Sequence, residues 1–167
     1  MSKSGIITTV VAVAAVAAIL WMGQQGAGKT SASASDSPRS NGTLVLSESS
    51  FDFGTVSMAK GVVRRSVTLK NEGPDPVVIG KMYTSCMCTT ASFVKGSETF
   101  GPFGMQGHGY IPKINQTVGL NEEATVDVAF DPAAHGPAGV GRVDRSVYLE
   151  NNAGKPIEIQ FTATVTP

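Results

Sequence analysis

Ile157-Glu158-Ile159-Gln160-Phe161-Thr162-Ala163-Thr164-Val165 alternates apolar and polar or small side chains at every position. Successive side chains on a strand point to opposite faces, so this run buries one face and wets the other. The same period of two recurs at Leu44 and Leu46, at Val67 and Leu69, at Val126, Val128 and Phe130, and at Val147 and Leu149. Turn-forming residues separate these runs: Asn71-Glu72-Gly73-Pro74-Asp75-Pro76, Asp131-Pro132 and Asn151-Asn152-Ala153-Gly154. No stretch in this part of the chain carries a convincing helical period. The pattern predicts strands over 43–47, 62–71, 76–84, 123–131, 142–151 and 156–166, with a shorter one over 86–93. Several short strands with this punctuation define an all-β fold, an immunoglobulin-like antiparallel β-sandwich.

The chain has 167 residues, enough for one domain and extras. Its 13 basic and 13 acidic residues cancel. Nucleic-acid binders carry a basic face, so no nucleic-acid partner is expected. Ile6 to Met22 is a 17-residue run without a charge, preceded by Lys3 and ending beside Trp21. It reads as a transmembrane or signal helix, and an uncleaved anchor is the favoured form because signal-peptide cores span about 7–15 residues. The expected organisation is a membrane segment over 1–22, a Ser/Ala/Gly-rich linker over 23–42 and a sandwich over 43–167. The sandwich then lies outside the cytoplasm, tethered by one pass or released after cleavage.

Gly23-Gln24-Gln25-Gly26-Ala27-Gly28-Lys29-Thr30 matches the phosphate-loop pattern. That pattern works only between a buried strand and a helix N-terminus. Here a membrane run precedes it and a linker follows, so no nucleotide is expected.

Cys86-Met87-Cys88 holds the only two cysteines. In an extended strand both thiols would share a face, with Cα atoms roughly 6.6 Å apart, so a mutual disulfide needs a bent backbone. Thiolate, thioether and imidazole ligands suit Cu(I) first and Zn(II) second. The candidate metal ligands are Cys86, Met87 and Cys88 with Met105, His108 and His135. The two histidines lie in separate glycine-rich loops, 95–115 and 131–141. In the first, Phe100, Phe103 and Tyr110 are expected to pack the loop onto the domain and so bring Met105 and His108 within reach of the thiols, with His135 the less certain ligand. The alternatives are two packed cysteines without metal, or a redox or disulfide pair. Arg142, Asp144 and Arg145 read as an exposed polar face.

Phe51-Asp52-Phe53-Gly54-Thr55-Val56, Lys70-Asn71-Glu72-Gly73, Ser85-Cys86-Met87-Cys88-Thr89 and Leu120-Asn121-Glu122-Glu123-Ala124 occur in this order. The order resembles the bacterial exported Ig-like domains grouped as domain of unknown function fifteen-seventy-three, similar to Hydin-type and major-sperm-protein-type sandwiches. The resemblance covers about residues 43–166 and implies an extracytoplasmic Ig-like module without enzymatic activity. The family pattern has glycine where this chain has Met87. Function is therefore expected to be binding, of a soft metal or of another extracytoplasmic protein.

Overall fold

The computed structural model describes residues 38–167; the expected membrane segment and the linker as far as residue 37 lie outside the described residues. Ten strands form two facing sheets: β1 Leu44–Leu46, β2 Ser50–Ser57, β3 Val63–Asn71, β4 Val77–Thr84, β5 Thr89–Lys95, β6 Glu98–Phe103, β7 Gln116–Val118, β8 Glu123–Phe130, β9 Gly141–Asn151 and β10 Ile157–Thr166. One sheet runs β1-β3-β8-β5-β6 and the other β2-β10-β9-β4-β7. The described helical turns are two short 3-10 segments, Met58–Lys60 and Gly136–Gly139. Among the described residues no helix is long and apolar enough to cross a membrane.

The alternation in β10 does what its chemistry requires. Ile159, Phe161, Ala163 and Val165 are buried, whereas Glu158, Gln160 and Thr164 face water. Val67, Leu69, Val126, Val128, Val147 and Leu149 are fully buried in the same core. Each such side chain contributes about 1.5–3 kcal/mol relative to exposure.

Two strands break the simple pattern. β2 was hidden because its apolar positions are Phe51, Phe53 and Val56, with a gap of three. Its register explains the gap: Asp52 pairs with Thr162, but the next pairing is Thr55 with Thr164. One extra residue sits on β2, a bulge at which Gly54 takes φ +70, a left-handed conformation that favours glycine. β2 also runs parallel to β10, so the sandwich is mixed and not purely antiparallel. β6 lies within the segment expected to be one long loop. Lys95 pairs with Glu98 across a two-residue turn, Gly96-Ser97, and Gly96 takes φ +59. Phe103 is buried and the Phe100 ring lies 6.4 Å from that of Phe93 in a tilted pair, but Tyr110 is 88% exposed and packs nothing down.

Chain crossings between the sheets position the site. Residues 85–88 carry the chain from β4 in one sheet to β5 in the other, and residues 131–140 carry it from β8 back to β9. Thr89 pairs with Phe130 and Thr84 with Val147, so both crossings lie at one pole of the sandwich.

Asn71 organises the opposite pole. Its side chain is fully buried and uses all its capacity. Oδ1 accepts from Thr43 N–H at 3.2 Å and Gly73 N–H at 3.0 Å; Nδ2 donates to the Asp75 and Val118 carbonyls at 2.9 and 3.1 Å. Residues 38–42, part of the compositional linker, are fastened nearby. Ser40 donates its N–H to the Asn152 carbonyl at 3.0 Å and its hydroxyl to the Pro76 carbonyl at 2.7 Å, and Asn152 Nδ2 donates to the Pro38 carbonyl at 2.6 Å. Leucine has the branched shape of asparagine without its polar atoms. Asn71→Leu therefore leaves buried backbone groups unpaired, and about 3 kcal/mol of stability should be lost in urea denaturation. A loss below about 1 kcal/mol would show that water satisfies these groups instead.

Candidate functional site

The cysteine turn is built from Thr84, the last residue of β4. Its buried Oγ1 lies 3.0 Å from both the Cys86 and Thr89 carbonyl oxygens and shares its single hydrogen between them. Thr89 N–H donates to the Cys86 carbonyl at 3.1 Å, closing a tight turn over 86–89. The turn shortens the Cys86–Cys88 Cα separation to 5.3 Å, inside the usual disulfide range of about 4.4–6.8 Å. The two sulfurs are bonded to each other. The pair is therefore not on an extended strand face, as the Cys-x-Cys spacing had suggested; the backbone bends as a disulfide requires. Met87 lies at the turn's surface, 56% exposed. Among the described residues the non-glycine residues with positive φ are Asn115 and Asn121, so position 87 does not need the family's glycine.

The second crossing brings His135 over the disulfide. Asp131 N–H donates to the Cys88 carbonyl at 2.9 Å, which ties the two crossings together. Asp131 Oδ1 accepts from Ala133 N–H at 2.9 Å and starts the turn that carries His135. His135 Nε2 lies 3.2 Å from Cys86 Sγ. The ligand atoms of Cys86, Cys88 and His135 all fall within 4.8 Å of one another.

Arg145 approaches from β9. By parity it shares the inward face of Val143, Val147 and Leu149, while Arg142 and Asp144 point outward and pair at 3.5 Å. The expected exposed face thus holds for Arg142 and Asp144 and fails for Arg145. Arg145 Nε donates to Cys88 Sγ at 3.4 Å, and Nη1 donates to the Asp144 carbonyl at 2.8 Å. Neither bond neutralises the guanidinium. Backbone bonds lock β9 to the turn: Ser85 N–H donates to the Ser146 carbonyl and Ser146 N–H to Ser85 Oγ, both at 2.9 Å. Cys88 N–H lies 3.3 Å from Cys86 Sγ, and Thr89 Oγ1 lies 3.7 Å from Cys88 Sγ. A shallow groove lined by His135, Ala138, Val140, Arg142, Val143 and Arg145 opens beside this arrangement.

Of the six candidate metal ligands, Cys86, Cys88 and His135 come together. Met87 is exposed on the turn. Met105 forms an isolated parallel bridge with Thr84 through its backbone, and His108 is exposed one turn further on, donating its N–H to the Met105 carbonyl at 3.4 Å. His108 does not join the sulfur cluster. With both sulfurs in a disulfide, neither is a thiolate, so a Cys-Met-Cys metal site is not what this structure forms. Arg145 was missed by sequence reasoning. Its signal was its parity with Val147 and Leu149, overlooked because its sequence neighbours are polar.

The fold and site define an Ig-like β-sandwich with a disulfide at one pole. Residues 44–102 match the family described as Protein of unknown function (DUF1573), so the resemblance seen in the sequence stands over that stretch. No curated protein matches the chain. Among solved structures, the chain is similar to a protein of unknown function from Porphyromonas gingivalis W83, with TM-score 0.55 and 14% identity over 74% of this chain and 46% of that one. It is also similar to a family 123 glycoside hydrolase from Clostridium perfringens, with TM-score 0.50 and 8% identity over 75% of this chain and 27% of that one. The PapD-like domain 7 of human CEP192 aligns with TM-score 0.45 and 12% identity over 84% of this chain and 96% of that one. The chain spans less than half of the first two proteins, and the likeness concerns the fold alone.

The turn geometry has a direct check. Alkylation of the denatured, unreduced protein should label no cysteine, and a peptide spanning 86–88 should weigh two hydrogens less than its reduced form. Two labelled thiols in freshly prepared protein would mean that the turn holds a dithiol.

Proposed function

We propose that this chain is an extracytoplasmic Ig-like binding module, tethered to the membrane by residues 1–22, whose working element is Cys86–Cys88 as a reversible disulfide–dithiol couple. It exchanges electrons with a partner's thiols stoichiometrically and is not an enzyme in its own right. The observation that carries this reading is a polar or charged group set against each sulfur: His135 Nε2 at 3.2 Å from Cys86 and Arg145 Nε at 3.4 Å from Cys88. A disulfide that only staples a turn gains little from an arginine beside it. A thiolate gains much, since cationic neighbours lower a thiol's pKa and make it reactive. Equilibrating the full-length protein in thiol–disulfide buffers, followed by acid quench and alkylation, tests this. Both cysteines should open together in one reversible two-electron transition. A pair that stays oxidised in every buffer in which the fold survives would sink the proposal.

A second reading belongs to the reduced state. Three ligand atoms already lie within 4.8 Å. Once reduced, Cys86, Cys88 and His135 offer a set suited to Cu(I), with Zn(II) second, and without Met87. Anaerobic loading should give metal uptake by the reduced full-length protein and none by the oxidised one. His135→Ala should weaken it at least tenfold, and Met87→Ala should not. Equal affinity in wild type and His135→Ala would remove the histidine from the ligand set.

A further inference from the structure

The two sulfurs are not equivalent, and their difference gives thiol exchange a direction. A disulfide opened by a thiolate splits so that one sulfur is attacked and the other leaves with the electron pair. The rate rises with access to the attacked sulfur and with the stability of the leaving thiolate. Cys86 is the more accessible, at 8% exposure against 3% for Cys88, and His135 beside it is exposed. Cys88 is buried against Arg145, with Thr89 Oγ1 also close. Arginine keeps its charge at every physiological pH, whereas a histidine's charge depends on pH. The guanidinium is also pre-aimed: Nη1 is fixed on the Asp144 carbonyl, and among the described residues no ion pair with a carboxylate competes for it. Access and leaving-group stability therefore agree.

We propose that Cys86 is the sulfur a partner thiol attacks, and that Cys88 leaves as a thiolate held by Arg145; this rests on the redox reading above. The partner thiolate forms a bond to Cys86 Sγ, the Cys86–Cys88 bond breaks, and its electron pair goes to Cys88 Sγ. A second partner thiolate then attacks the partner's sulfur in the mixed disulfide. The partner leaves as a disulfide, and Cys86 Sγ takes a proton from His135 or water. Two partner thiolates are oxidised to a disulfide, and the Cys86–Cys88 disulfide is reduced to the Cys86 thiol and the Cys88 thiolate. The ligand chemistry is an alkyl thiol that reaches Cys86 beside the exposed His135. Arg145 is a positioning residue for the leaving sulfur.

The experiment uses oxidised full-length protein with glutathione in one arm and a cysteine-bearing peptide in the other. Samples are acid-quenched at partial conversion and alkylated, and tandem mass spectrometry locates the mixed disulfide. The adduct should sit on Cys86 at least tenfold over Cys88 in both arms, and the faster arm identifies a free or a protein-borne thiol as the source. Arg145→Gln should slow disulfide opening about tenfold and spread the adduct over both cysteines. Arg145→Lys should recover most of the rate and the Cys86 preference, which a purely structural role would not require. An adduct mainly on Cys88, or an Arg145→Gln protein that opens at the wild-type rate, would overturn the assignment. Adduct mapping in the wild type stands even if a variant fails to fold. A disulfide that neither thiol opens, but a phosphine does, would instead defeat the redox reading itself.

Discussion

The placing of His135 over the disulfide depends on one backbone hydrogen bond, from Asp131 N–H to the Cys88 carbonyl. It joins two crossings that are distant in sequence but leave the sandwich at the same end. Sheet pairing alone would bring the crossings near each other. The bond fixes their relative height, and with it the distance between the imidazole on one and the sulfurs on the other. Thr84 does the corresponding work within the cysteine turn, where a buried hydroxyl draws two carbonyls inward. These are main-chain constraints supported by small side chains.

The two poles show a division of physical labour. At one, Asn71 satisfies four backbone groups and is buried completely, a rigid polar node without exposed chemistry. At the other, sulfur, imidazole and guanidinium meet at longer range, and the imidazole remains open to solvent. Short, saturated hydrogen bonds suit a permanent joint. Looser contacts to polarizable sulfur suit a group whose charge must change.

Much of the fold was legible because period-two burial is a strong constraint. β3, β4, β8, β9 and β10 fall within a residue of the expected spans. β2 escaped because its bulge at Gly54 destroys the alternation, and β6 because glycine and proline mask a hairpin whose turn is glycine itself. At the site, the cysteines and both histidines were named from residue chemistry, but His108 was expected nearer the thiols, and it is His135 that lies there. Nothing in one-dimensional spacing could rank His135 above His108, since that choice depends on which loop shares a pole with residues 85–88. Arg145 was readable in principle. A charge on the otherwise apolar inward register of a strand needs a partner, and here the partner is Cys88.

The chain enters and leaves the sandwich at different poles. Pro38 and Ser40 are fastened to Asn152, beyond the far end of β9, whereas Val165 of β10 pairs with Gly141 at the start of β9, and the Pro167 carbonyl accepts from the Ser57 hydroxyl. Residue 38 thus lies at the Asn71 pole, and β10 ends at the pole that carries the disulfide. A tag or reporter fused after Pro167 therefore emerges at the pole that carries the disulfide.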